Sequence, residues 1–136
     1  MKLKVILTVL VITVLYFFLG WLIYGIILDG FYKENTHQYA GLMKTGNAAW
    51  AYLLSNLCWG VLIVYILSLA GIKTFYKGLI IGLIVFFLAS FSYDVVFYAT
   101  MHLFKGRVFV VDVIVSTLLG GLFGGLAGLF LGMGKK

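Results

Sequence analysis

Charge is scarce in this chain: only 10% of its 136 residues are charged, four of those are acids, there is no proline, and a single cysteine is present. With 64% of residues hydrophobic, too little polar side chain remains to cover a soluble domain, and no segment is left over to form one. The lone Cys58 falls inside an apolar run, which excludes an intrachain disulfide and a multi-cysteine metal site and leaves it as a small packing residue. Also missing are a nucleophile elbow, a phosphate-binding glycine loop, a zinc-protease helix and a haem attachment sequence. Glu34 and His37 make one Glu-x-x-His spacing, in a loop, whereas a carboxylate-bridged metal bundle repeats it on two helices. No metal and no cofactor is therefore expected, and the balance leans away from an enzyme.

What the chain does have is four apolar runs, over 5–28, 48–71, 79–103 and 108–133. Each reaches the roughly 20 residues that a helix needs to cross a bilayer core. The first is too long for the apolar part of a secretory signal, about 7 to 15 residues, and ends without a small-x-small cleavage site, so it is read as a retained span. Short connections favour antiparallel neighbours. The expected fold is all-α: one transmembrane domain over 1–136, an integral membrane four-helix bundle running up-down-up-down, with the longest polar loop at 29–47.

The formal charge of +6 is distributed by position. Lys2, Lys4, Lys73, Lys77, Lys135 and Lys136 fall on one side of the spans with no acid, while Lys33, Lys44, Lys105 and Arg107 on the other side are offset by Asp29 and Glu34. The positive-inside rule then places both termini in the cytoplasm. These lysines suit anionic lipid headgroups rather than nucleic acid, which is not expected as a partner. The bilayer itself, and a second copy or another membrane protein, are the expected partners.

The fourth run carries Gly120, Gly124, Gly128 and Gly132 at four-residue spacing, with Gly121 and Gly125 beside them. Small residues at this interval let two helix backbones approach closely. The stripe is read either as a groove for another helix of the same bundle or as a homo-oligomer seam.

Asp94 is the most informative single residue. An ionised side chain in the middle of a span costs on the order of 2.5 to 3.5 kcal/mol by insertion scales, and is tolerated where it faces a packed interior or water. At a rise of about 1.5 Å per residue, Asp94 lies roughly 13 Å below the end of its run, level with Asn56 of the second run. Trp21 and Tyr24 occupy the last two turns of the first run on that side. The reading is a polar pocket formed by Asp94, Asn56, Trp21 and Tyr24, with Asp112 nearer its mouth. Asp94, Tyr98 and His102 are spaced to share one helix face, a polar track from the buried carboxyl to the surface. The plainer alternative makes Tyr98 and His102 interfacial aromatics and bonds Asp94 to Asn56 or Ser92. Asp112 is placed in the first turn of the fourth span, where the helix dipole favours it, with Arg107 as a pairing partner. The two carboxyls are expected roughly 7 Å apart in depth.

Ser92-Tyr93-Asp94, Ala99-Thr100 and Val110-Val111-Asp112 resemble the second half of a family of small, predicted four-span bacterial membrane proteins of unknown function. The resemblance covers about a third of the chain, implies the four-span topology, singles out Asp94 and Asp112, and supplies no activity. Three functions follow from the residues. The first is a transporter or channel-like protein for a cation, a proton or a small amphipathic molecule, using the buried carboxylate. The second is a scaffold or accessory subunit that assembles through the glycine stripe. The third is a membrane enzyme acting on a lipid or quinone, with Asp94, His102 and Asp112 as acid and base groups.

Overall fold

The computed structural model describes residues 2–134, which leaves Met1, Lys135 and Lys136 outside the described residues. Five helices account for most of it: α1 (Lys2–Gly20), α2 (Asp29–Asn35), α3 (Ala49–Leu69), α4 (Phe75–Thr100) and α5 (Gly106–Gly132). α1 runs directly into a π-helical stretch, Trp21–Ile27, whose wider turn is closed by Leu28 N–H donating to the Ile23 carbonyl at 2.8 Å. Four of these helical segments are long and apolar enough to cross a membrane, and among the described residues there is no strand, only an isolated antiparallel bridge between Thr36 and Phe104. The all-helical, four-helix bundle reading holds.

The boundaries differ from the apolar runs where hydropathy and helix geometry part company. α4 begins four residues before its apolar run and stops at Thr100, because Met101, Leu103 and Phe104 are apolar residues of a connecting segment. The longest polar loop, 29–47, contains α2.

α5 is the central helix. It packs most closely with α4, and also against α1 and α3, whereas α3 and α4, though joined by a short turn, touch only slightly. Short connections alone therefore do not make those two helices close neighbours. Of the buried residues, the largest share belongs to α5, including Leu119, Phe123, Ala127 and Leu131, and they meet Ile12 of α1, Ile63, Val64 and Leu67 of α3, and Phe86 of α4. Aromatic rings tie the pieces together: Tyr16 lies 4.7 Å from Phe123, and Trp59 lies 4.8 Å from Phe86, centroid to centroid.

The glycine stripe is spent inside the chain. A Cβ placed on Gly124 would lie 2.4 Å from the Gly78 carbonyl oxygen, and one on Gly82 would lie 2.1 Å from the Gly120 carbonyl oxygen, so the α4 and α5 backbones are in direct contact. Gly128 and Gly132 meet the carbonyls of Thr74 and Lys73 in the same way. The four-residue spacing of Thr74, Gly78 and Gly82 on α4 is the matching half, shorter and less conspicuous than the stripe it receives. Elsewhere the long helices turn apolar side chains outward, among them Leu3, Leu10, Phe18, Leu54, Val61, Leu88 and Leu118. A bundle in water would bury such residues; in lipid they need no cover.

Candidate functional site

α4 ends six residues beyond Asp94, and α5 begins six residues before Asp112. Because the two helices are antiparallel and joined by a tight connection, equal distances from it put both carboxyls at one level. Asp94 and Asp112 come within hydrogen-bonding reach of each other. The depth difference expected from the apolar runs disappears, since those runs counted loop residues as helix. Asp112 also stands in the second turn of α5, not the first, and α5 has no acid in its first turn, so dipole capping does not explain it. Arg107 makes no ion pair with it; the only ion pair among the described residues is the exposed one from Lys33 to Asp29, at 2.7 Å.

The partner that Asp112 does have comes from α2. Tyr32 donates its phenolic O–H to Asp112 Oδ1 at 2.6 Å. Burial, then this hydrogen bond, then the nearby Asp112 charge push the Tyr32 phenol well above its ordinary value of 10.0, so it remains a protonated donor. α2 is held over the carboxyls by its own C-terminal end. Lys105 N–H donates to the Asn35 carbonyl at 2.9 Å and His37 N–H to the Leu103 carbonyl at 2.7 Å, flanking the Thr36–Phe104 bridge. The buried Asn35 closes the helix by bonding back to the Phe31 carbonyl at 2.8 Å.

Asp94 is the less satisfied member of the pair. Its Oδ2 is buried and has no hydrogen-bond donor among the described residues. The two carboxyls border a cavity of about 250 Å³ lined also by Tyr32, Thr36, Phe104, Val108 and Phe109. A second polar contact lies next to it: Tyr24, carried inward on the π-helical stretch, shares a hydrogen bond with Ser116, one turn along α5 from Asp112, at 3.0 Å. The Tyr24 and Tyr32 rings are 5.8 Å apart, so the two hydroxyl groups belong to one aromatic wall. A π turn changes which side chains of a helix face its neighbour, and such turns are frequent at functional sites.

Of the residues singled out from sequence, Asp94, Asp112 and Tyr24 come together. Asn56 does not join them: it makes no hydrogen bond among the described residues, because α4 turns its glycine face to α5 and barely meets α3. Trp21 is 60% exposed and lies over Gly25 of its own helix, outside the cavity. The polar track along α4 also breaks. His102 falls past the helix end, where its carbonyl accepts a bond from Tyr39, and Tyr98 is exposed and stacks on Phe104 and Phe109. Ser92 is exposed and makes no hydrogen bond with Asp94. Tyr32, Ser116 and Thr36 are additions that sequence reasoning misses, and no periodicity marks them, since they reach the site from three separate elements.

Chemically, two carboxyls in contact, one with a single hydroxyl donor and one with a bare oxygen, attract positive charge. Two negative charges this close in a half-buried place repel strongly, and a proton or a cation between them relieves that repulsion. Among the described residues no group of three or more His, Cys, Asp or Glu is placed to hold a metal ion. No protein-family model matches the chain, and neither the curated proteins nor the solved structures contain a match.

Proposed function

We propose that this is a multi-pass membrane protein that takes up a proton, or a small monovalent cation in its place, between Asp94 and Asp112 as a step in transport. The observation that carries this reading is the buried Asp94 Oδ2, without a donor, facing a second carboxyl at the edge of a cavity. Ionisable groups within spans that face a cavity mark ion and proton paths. Tyr32 fixes Asp112 from one side, which leaves Asp94 as the group that exchanges. α2 and the bridge at Thr36 cover the pair from the end opposite Lys2, Lys4, Lys73 and Lys77, and the positive-inside rule supports a cytoplasmic location for that lysine-bearing end. The scaffold alternative draws on a glycine stripe that α4 already occupies.

The test is ion flux through the full chain reconstituted in vesicles with an internal pH-sensitive dye. Asp94→Asn should reduce proton flux to the level of protein-free vesicles, and Asp29→Asn, an exposed acid of α2, should leave it unchanged. The Asn variant should fold at least as well as the parent, because its amide can donate to Asp112 where an ionised carboxyl cannot. Undiminished flux in a folded Asp94→Asn protein rejects the proposal.

A further inference from the structure

At the end of the bundle opposite the carboxyl pair, the start of α1, the turn between α3 and α4 and the end of α5 surround a second cavity of about 460 Å³. Its floor is apolar, made by Leu67, Ile72 and Leu131, and its rim carries Lys4, Lys73 and Ser68. Ile72 is held in place by the turn itself: Gly71 takes φ 65°, a conformation suited to glycine, and Ile72 N–H donates to the Leu67 carbonyl at 2.9 Å. Lys4 is half-buried, lines the cavity and donates to the Met133 carbonyl at the end of α5, which uses one of its three ammonium donors.

Among the described residues, the side-chain charge at this end has one sign. Lys2, Lys4, Lys73 and Lys77 gather here, while Asp29, Glu34, Asp94 and Asp112, all the acids of the chain, belong to the other half. A cavity with an apolar floor and a cationic rim at the end of four spanning helices matches a molecule with an anionic head and an apolar body. We infer that this cavity binds the phosphate headgroup of an anionic phospholipid, with Lys4 and Lys73 on the phosphate and the glycerol and first methylenes over Leu67, Ile72 and Leu131. The inference rests on the membrane reading and is independent of the carboxyl pair.

Native mass spectrometry of the full chain, released from nanodiscs of phosphatidylcholine and phosphatidylglycerol, tests it. The parent protein should retain phosphatidylglycerol in preference to phosphatidylcholine. Replacing both lysines (Lys4→Gln with Lys73→Gln) should lower that retention about tenfold, while Lys33→Gln with Lys105→Gln, which removes equal charge from the other end, should not. Ser68→Phe fills the cavity with the lysines intact and should also lose the lipid; Lys4→Arg with Lys73→Arg should keep it. Competition by millimolar glycerol phosphate, equal retention of both lipids, or equal loss in the two charge-matched variants overturns the inference. Proton flux serves as the separating readout. Asp94→Asn should abolish flux with lipid retention unchanged, so failure of either proposal is seen by itself.

Discussion

Tyr32 stands outside the four long apolar helices, yet its phenol donates to a carboxyl within one of them. Hydrogen bonds to charged groups contribute about 1.5 to 3 kcal/mol, so Tyr32→Phe should lower stability by roughly that amount, read as an unfolding midpoint in detergent. The pH dependence follows from the raised phenol. A group whose folded value lies above its unfolded one contributes fully below the unfolded value and loses that contribution as pH climbs toward the folded one. With the unfolded phenol at its ordinary value of 10.0, the contribution from Tyr32 is complete below pH 10 and falls away above it. The parent protein should thus show a steeper alkaline loss of stability than Tyr32→Phe; identical alkaline limbs by circular dichroism would remove Tyr32 from the account. Asp94 is legible at this scale because a lone acid in an apolar run is conspicuous. Tyr32 is not, because a tyrosine in a polar loop is ordinary until the loop folds into α2 and returns to α5.

Between elements, the α4–α5 seam is the tightest contact in the protein, and glycine makes it possible. Gly82→Ala or Gly124→Ala would place a methyl group against backbone atoms that cannot move aside locally, 2.1 Å from a carbonyl oxygen in the first case and 2.4 Å in the second. Each should cost about 1 to 3 kcal/mol, and both should also disturb the carboxyl pair, because the same seam sets the level of Asp94 against Asp112. Gly30→Ala in α2 is the control: beyond its chain neighbours and its own helix backbone, no atom lies within 4 Å of where its methyl group would stand, so the change should be neutral or slightly stabilising. Thermal unfolding of the three variants in detergent checks the contrast. The stripe on α5 is plain in the sequence, but a stripe does not name its partner. Its partner is Thr74, Gly78 and Gly82, whose spacing matches, on the helix that a short connection folds back against it. At the end of α1 the apolar pattern continues smoothly through Trp21–Ile27, so hydropathy gives no sign of the π turn that brings Tyr24 to Ser116.

For the whole molecule, the two ends differ in charge and in content, with a carboxyl-lined cavity under α2 at one and a lysine-rimmed cavity at the other. Lys4 donating to the Met133 carbonyl joins the start of α1 to the end of α5, so both lie at one face of the bundle. In a Cys58→Ser background, Gln38→Cys should react with a membrane-impermeant maleimide on intact cells, and Ala70→Cys only after permeabilisation. The reverse pattern would invert the orientation while leaving the fold untouched.

Composition and run length by themselves determined four apolar helices long enough to cross a membrane, because an apolar helix in lipid satisfies its backbone internally and needs no other information to form. They also determined that Asp94 requires a sheltered position. Which groups shelter it was decided only by tertiary structure: the equal spacing of Asp94 and Asp112 from the α4–α5 connection, the glycine contact that draws those helices together, and the bridge that folds Tyr32 over them. Such pairings depend on where helices stop and which faces meet, and a few apolar loop residues beyond Thr100 are enough to hide that from a hydropathy pattern.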